Sequence, residues 1–309
     1  MKVIYGKCAL EKETMAPSTV TVGTFDGVHK GHVVLLNRLV QVSQENNSIS
    51  TVVTFDPHPQ MVLATKGRIE ILNTIEEKLE QFDELKLDMV VILEFNQQLA
   101  SLEAEDFIRW ILIENFNMKH FVIGYDHSFG KDRAGNYELV KSLAGNYHYS
   151  YEIVGPVHNG GIPVKSSRIR RELKAGDFEK AVEMLGYRYF LTGDIIKGRG
   201  LGKKMGYPTV NINTPPGKLL PKEGVYAATT AIDNVTIPGM AYIGGRLTFG
   251  DETISVEVNL FDFNKNVLGK KARLTLQQYT RAPVKFDSPE ELKSALSEDE
   301  RQVKKILHI

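Results

Sequence analysis

The sequence predicts a two-part α/β protein: a doubly wound parallel-sheet domain over residues 1–185, then a small antiparallel β-barrel with a C-terminal helix over residues 186–309. Three observations predict it. Up to about residue 154, short β-rich runs alternate with helical patterns, which implies parallel strands joined by crossover helices. After about residue 185, extended runs follow one another with only Gly, Pro, Asn and Lys between them, as in a small barrel. A chain of 309 residues that is 42% hydrophobic also carries apolar material for two cores.

In the first domain, strands are expected at 19–22, 49–55, 89–95, 120–123 and 149–154, and helices at 33–44, 75–85 and 104–115. The second helix is introduced by Thr74-x-x-Glu77, in which each side chain can satisfy the other residue's backbone N–H. An amphipathic stretch at 178–185 closes the domain and places the boundary near Gly186. Barrel strands are expected at 189–196, 224–232, 240–243, 253–263 and 272–279. Ser288-Pro-Glu-Glu291 then opens the last helix, with Ser as N-cap and Pro at the first helical position.

Lys plus Arg and Asp plus Glu number 38 each, so no net basic field exists to gather nucleic acid or an anionic membrane surface, and neither is expected as a partner. Cys8 is the single cysteine, which excludes an internal disulfide and thiolate metal sites. With no apolar run near the roughly 18 residues of a membrane span, and no signal-peptide core at the start, the expected location is the cytoplasm.

Two constellations suggest phosphate chemistry. In Thr21-Val-Gly-Thr-Phe-Asp-Gly-Val-His-Lys-Gly-His32, an apolar strand runs through a tight loop into a helix, with His29 and His32 three residues apart at the helix start. Unpaired N–H groups and the positive end of the helix dipole suit a polyphosphate there. Gly23, Gly27 and Gly31 would let the backbone approach the anion, and the imidazoles would donate hydrogen bonds to charge developing in the transition state. Ser166, Ser167, Arg168 and Arg170 open a second helix as a phosphate clamp, although Arg170 fits a surface ion pair equally well. In the second half, Lys197-Gly-Arg-Gly-Leu-Gly-Lys-Lys-Met-Gly-Tyr-Pro-Thr-Val-Asn211 fits neither a Rossmann fingerprint nor a Walker loop. By composition it is a basic, flexible loop. Its Gly198, Gly200 and Gly202 backbone with Arg199, Lys203 and Lys204 would also suit a triphosphate, while Thr209 and Asn211 offer oxygen ligands to hydrated Mg²⁺. In Ser255-Val-Glu-Val-Asn-Leu260, period-two alternation places Ser255, Glu257 and Asn259 on one face of a strand. Glu257 is thus held on a rigid element, and the pattern by itself reads as a surface-facing carboxylate.

The first run resembles the G-x-F-D-G-x-H-x-G-H motif of HIGH-type nucleotidyltransferases, in the form found in bacterial bifunctional riboflavin kinase/FAD synthetases. Thr54-Phe-Asp-Pro-His-Pro59, Leu72-Asn-Thr-Ile-Glu-Glu-Lys-Leu79, Gly124-Tyr-Asp-His-Ser-Phe-Gly130 and Ser166-Ser-Arg-Ile-Arg-Arg-Glu-Leu173 match the same family in order. Gly206-Tyr-Pro-Thr-Val-Asn211 is similar to the G-F/Y-P-T-x-N signature of its kinase half, and 279–292 to that module's end. The resemblance implies an enzyme that makes FMN from riboflavin and ATP, and FAD from FMN and a second ATP, with Mg²⁺ serving both steps. It adds Phe25 and Asp26 to the nucleotide site, puts Asp126 near the flavin end of that site, gives Thr209 and Asn211 the Mg-nucleotide and places Arg281 near the flavin. It also makes Glu257 the acceptor of the ribityl hydroxyl proton. That division of labour is chemically coherent: an alcohol needs a base, whereas the FMN phosphate, with a second pKa of about 6, arrives mostly ionised.

The chain departs from the family pattern at Lys165, at Tyr242 and Leu247 within Tyr242-Ile-Gly-Gly-Arg-Leu-Thr248, and at Leu268. These departures leave two rivals open: an FMN adenylyltransferase with an inactive flavin-binding barrel, and a non-catalytic flavin-responsive regulator.

Overall fold

A computed structural model describes residues 1–6, 16–63, 69–198, 202, 205–246 and 251–309. Cys8, Arg199, Gly200, Lys203, Lys204, Leu247 and Thr248 lie outside the described residues. The chain divides into two compact units, Met1–Ser166 and Ser167–Ile309.

The first unit is built on a parallel sheet of β1 (Lys2–Tyr5), β2 (Ser18–Val22), β3 (Ile49–Asp56), β4 (Met89–Glu94), β5 (Met118–Gly124) and β6 (Ser150–Val154), in the order β1-β4-β3-β2-β5-β6. Its central strands are buried almost throughout because both faces are covered, small hydroxyl residues such as Thr19, Thr21, Thr51 and Thr54 included. Val53, Val91 and Phe121 pack on one side with Ile108, Ile111 and Val140, while Val52, Val90 and Val122 pack on the other with Leu36, Leu39 and Phe82. Helix α1 (Lys30–Glu45) follows β2, and α2 (Ile75–Glu84) carries the expected capping box between Thr74 and Glu77.

Several elements differ from expectation, among them the strand Thr209–Asn213, which lies in the run read as a flexible loop. The short edge strand β1 has only Ile4 buried, so its alternation carries little signal. Helix α3 (Tyr137–Tyr147) fills a stretch with no expected element. The segment expected as an α-helix over 104–115 is mostly a π-helix, Phe107–Asn115. The strand expected at 240–243 runs from Val235 to Arg246, through a Pro238-Gly239 pair that reads locally as a break.

In the second unit, α4 (Ser166–Ala175, whose first residue ends the first unit) and α5 (Phe178–Leu185) precede the expected barrel. After the two-residue strands β7 (His158–Asn159) and β8 (Ile162–Pro163) of the first unit, the barrel comprises β9 (Phe190–Ile196), β10 (Thr209–Asn213), β11 (Gly224–Ile232), β12 (Val235–Arg246), β13 (Asp251–Leu260) and β14 (Lys271–Arg281). It closes antiparallel in the order β10-β13-β12-β11-β14-β9. Helix α6 (Pro289–Leu307), capped by Ser288 as expected, packs Val303 against Ala227, Met240 and Phe261. Among the described residues no helix is long and apolar enough to cross a membrane.

Candidate active sites

At the carboxyl end of β2 the chain enters the loop 23–29, the position where parallel sheets of this kind bind ligands. The loop is strained. Phe25 at φ 45° and Val28 at φ 29° occupy the left-handed region, at about 1–3 kcal/mol each, so the surroundings must hold them. Asp26 Oδ1 accepts the backbone N–H groups of Leu72 at 2.8 Å and Asn73 at 3.2 Å. The buried Lys78 ammonium donates to the Thr24 carbonyl at 3.2 Å, and Ser166 Oγ donates to the Asp26 carbonyl at 2.8 Å. Segment 72–78 is therefore a brace for the loop.

His29 is the N-cap of α1, and its Nδ1 accepts the His32 backbone N–H at 3.3 Å. That bond assigns the neutral imidazole's proton to Nε2. The two rings stack at 3.6 Å, and Phe25 stands edge-on beneath His32 at 5.3 Å. Burial holds His29 down to about 4, although Asp26 and Asp126 pull it upward. Burial, reinforced by His29 and Lys78, holds His32 well below the ordinary histidine value. Both are neutral near pH 7, so they offer N–H donors without standing charge. His32 Nδ1 is buried and has no hydrogen-bond partner among the described residues.

The glycines of this loop have reasons beyond approach of an anion. A Cβ on Gly31 would lie 3.1 Å from the His29 ring, and one on Gly23 would lie 3.0 Å from the Phe25 ring. Gly27, at φ 88°, supplies the turn. Phe25 and Asp26, each 2% exposed, face inward and shape the loop from beneath. Asp126 is exposed and paired with the Lys165 ammonium at 3.1 Å. Ser167 is exposed in the first turn of α4, where Arg168 Nε lies 3.9 Å from Glu172 Oε1. His58 Nδ1 accepts the Gln60 N–H at 3.1 Å, which gives it a turn-forming role.

The second constellation lies on β10 and β13. Their register pairs Thr209 with Asn259 and Asn211 with Glu257, which puts four polar side chains on one face, as the alternation of 255–260 leads one to expect. Thr209 Oγ1 donates to Glu257 Oε2 at 3.4 Å, Ser255 Oγ to Glu257 Oε1 at 3.3 Å, and Asn259 Nδ2 to the Pro208 carbonyl at 2.7 Å. A Cβ on Gly198 would fall 2.2 Å from Asn211 Nδ2, and one on Gly202 would fall 2.2 Å from the Tyr207 carbonyl oxygen, so neither position has room for a side chain. Thr209, Glu257 and Asn259 line a cavity of about 170 Å³, closed by Met240, Phe286, Leu292 and Leu296. Arg281 also lines it. Its guanidinium is held by a bidentate pair with the buried Asp299, both contacts 2.7 Å, and lies 5.9 Å from the Phe286 ring.

Sequence reasoning singled out neither Lys78 nor Asp299. Lys78 lies inside a quoted motif, but its burial is a tertiary fact. Asp299 is one acidic residue in Ser297-Glu-Asp-Glu300, with nothing local to mark it.

Comparisons with known proteins follow the same division. Residues 11–168 match the family model described as FAD synthetase, and residues 185–307 match riboflavin kinase. The chain is 32% identical over 309 residues to the bifunctional riboflavin kinase/FMN adenylyltransferase of Listeria monocytogenes, covering 98% of both chains. It is 34% identical to the protein of that description from Buchnera aphidicola of Schizaphis graminum, covering all of both, and 32% identical to that of Bacillus subtilis, covering 95% of this chain and 93% of the other. A solved structure described as a macrolide-efflux protein from Streptococcus pneumoniae superposes with a TM-score of 0.87 at 29% identity, covering 98% of this chain and 99% of that one.

Proposed function

The chain belongs to the family of bifunctional riboflavin kinase/FMN adenylyltransferases, and on that premise we propose which residues carry each of its two reactions. It phosphorylates riboflavin with ATP to give FMN, and it adenylylates FMN with ATP to give FAD, releasing pyrophosphate. We assign adenylylation to residues 1–185 and phosphorylation to residues 186–309.

For phosphorylation, Glu257 is the general base. The reacting ribityl alcohol holds its proton at neutral pH, and a carboxylate fixed on a strand, beside Thr209 and inside a largely apolar cavity, can take that proton as the alcohol attacks the γ-phosphorus. Thr209 and Asn211, two residues apart on β10, present hard oxygen donors on the face that also carries Glu257, a pair that fits Mg²⁺. Thr209 and Asn211 would hold Mg²⁺ together with ATP, and the ion would supply charge neutralisation to the phosphoryl group being transferred. Gly198 and Gly202 keep the approach to Asn211 and to the cavity free of side chains, and Gly200 and Lys203 complete the glycine-rich run of the sequence that we assign to ATP. Arg281, oriented by Asp299, contributes to the flavin pocket.

For adenylylation no base is required. The FMN phosphate attacks the α-phosphorus, and the site must align two anions and stabilise departing pyrophosphate. His29 Nε2–H, His32 and the first N–H groups of α1 supply donors, while Gly23, Phe25, Asp26, Gly27 and Gly31 set the loop that aims them. Ser166, Ser167 and Arg168 are the phosphate-binding helix start, and Asp126 borders the flavin end. The observation that carries this assignment is the stacked, neutral histidine pair at a helix N-terminus, with His29 buried and His32 half-buried. The direct test is chromatography of flavins after incubation with riboflavin and Mg-ATP. FMN and FAD together support both assignments of activity, whereas FAD made only from added FMN selects the inactive-barrel alternative.

A further inference from the structure

Tyr242 stands in the cavity wall but has no part in the chemistry assigned above. It is the cross-strand partner of Glu257 in the β12–β13 register, so the two side chains leave neighbouring strands on the same face. The phenol hydroxyl is committed to the Gly245 carbonyl, to which it donates at 2.5 Å. The ring lies across Gly244, where a Cβ would come 3.0 Å from the phenol oxygen and 3.2 Å from Cζ, with Glu223 Oε2 at 2.8 Å. Gly244 itself sits at φ 151°, a conformation that leaves this stretch of strand without a side chain, and the Tyr242 ring and the Glu223 carboxylate share the space. Burial, followed by the Glu223 carboxylate, pushes the phenol pKa up, so the hydroxyl remains a donor to Gly245. With its oxygen engaged, Tyr242 presents hydrocarbon beside the carboxylate, continuous with Val225, Met240 and Phe286.

A carboxylate able to activate an alcohol can also activate water, and excluding water is what prevents that side reaction. We infer that the ring of Tyr242 keeps water away from Glu257 and thereby couples ATP cleavage to phosphorylation of the alcohol. The inference rests on the reading of Glu257 as the base. In the reaction so prevented, a water oxygen attacks the γ-phosphorus and the bond to the bridging oxygen breaks, its electron pair leaving with ADP. The proton passes to Glu257 and then to solvent, and inorganic phosphate is released.

The experiment uses the full chain with riboflavin and Mg-ATP, measuring ADP against the sum of FMN and FAD. Adenylylation releases pyrophosphate, so it adds no ADP. The wild type should give a ratio of one. Tyr242→Val, which suits a strand but removes the ring, should raise ADP to about threefold or more over flavin product. Tyr242→Phe, which keeps the ring, should remain at one. A ratio of one in a folded Tyr242→Val protein overturns the proposal whatever its rate; should that variant not fold, Tyr242→Leu serves with the same two outcomes. In Tyr242→Val combined with Glu257→Gln, the excess ADP should disappear. Persistence of that excess overturns Glu257 as the proton acceptor, which separates failure of the base assignment from failure of the Tyr242 proposal.

Discussion

His29 and His32 are legible in the sequence as a pair three apart at a helix start, but their stacking, the Nδ1 cap and their neutrality are not. Those depend on Phe25 within the loop and on Phe82 and Lys78, which come from an element distant in sequence. The neutrality has a pH consequence. An unfolded histidine binds its proton near 6.5 and folded His29 near 4, so between these values acid favours unfolding. The contribution is full above pH 6.5 and lost as pH falls toward 4, amounting to about 3 kcal/mol. Urea midpoints at pH 7.5 and pH 5 should therefore fall more steeply for the wild type than for His29→Gln; equal slopes contradict the buried, neutral assignment. The acid limb of kcat/KM for adenylylation should lie near pH 6, where the FMN phosphate protonates. A limb that instead moves with substitutions around His29 would show that the histidine titrates.

At the scale of elements, local rules work where the determinants are local. The capping box at Thr74, the Ser288 cap and the alternation through Glu257 all form as expected. The π-helix Phe107–Asn115 and the strand through Pro238 and Gly239 do not read locally, because packing under the sheet and barrel closure override propensity there. Segment 72–78 shows what the motif cannot reveal: its groups hold the strained histidine loop at the Thr24 carbonyl and the Asp26 carboxylate. Lys78→Met removes a charged donor worth about 1.5–3 kcal/mol. FAD formation should slow and FMN formation should persist, measured as separate initial rates; unchanged FAD formation would show that the brace is dispensable.

At the scale of the molecule, the change from alternating helices and strands to successive strands announces two domains, but the helices between them are ambiguous in sequence. Ile169, Leu173, Phe178, Ala181, Met184 and Leu185 are all buried. Within the second unit, Lys222 N–H donates to the Leu173 carbonyl at 2.9 Å and Phe178 packs edge-on to Tyr226. A fragment 167–309 should therefore be more stable than 186–309, by about 3 kcal/mol or more if only two such side chains lose their burial. Thermal unfolding of the two fragments measures this, and equal stability would place the helices outside the barrel's cooperative unit. The central claim is that one chain holds two chemically separate sites, one needing a base and one needing only aligned donors. The most direct test measures initial rates of FMN and FAD formation on Glu257→Gln and on His29→Ala/His32→Ala, each with circular dichroism to confirm folding. The first should lose about 10²–10⁴ in riboflavin phosphorylation and retain FMN adenylylation. The second should show the reverse, losing about 10² or more in FAD formation. If either variant loses both activities in parallel while folded, the two sites are not separate.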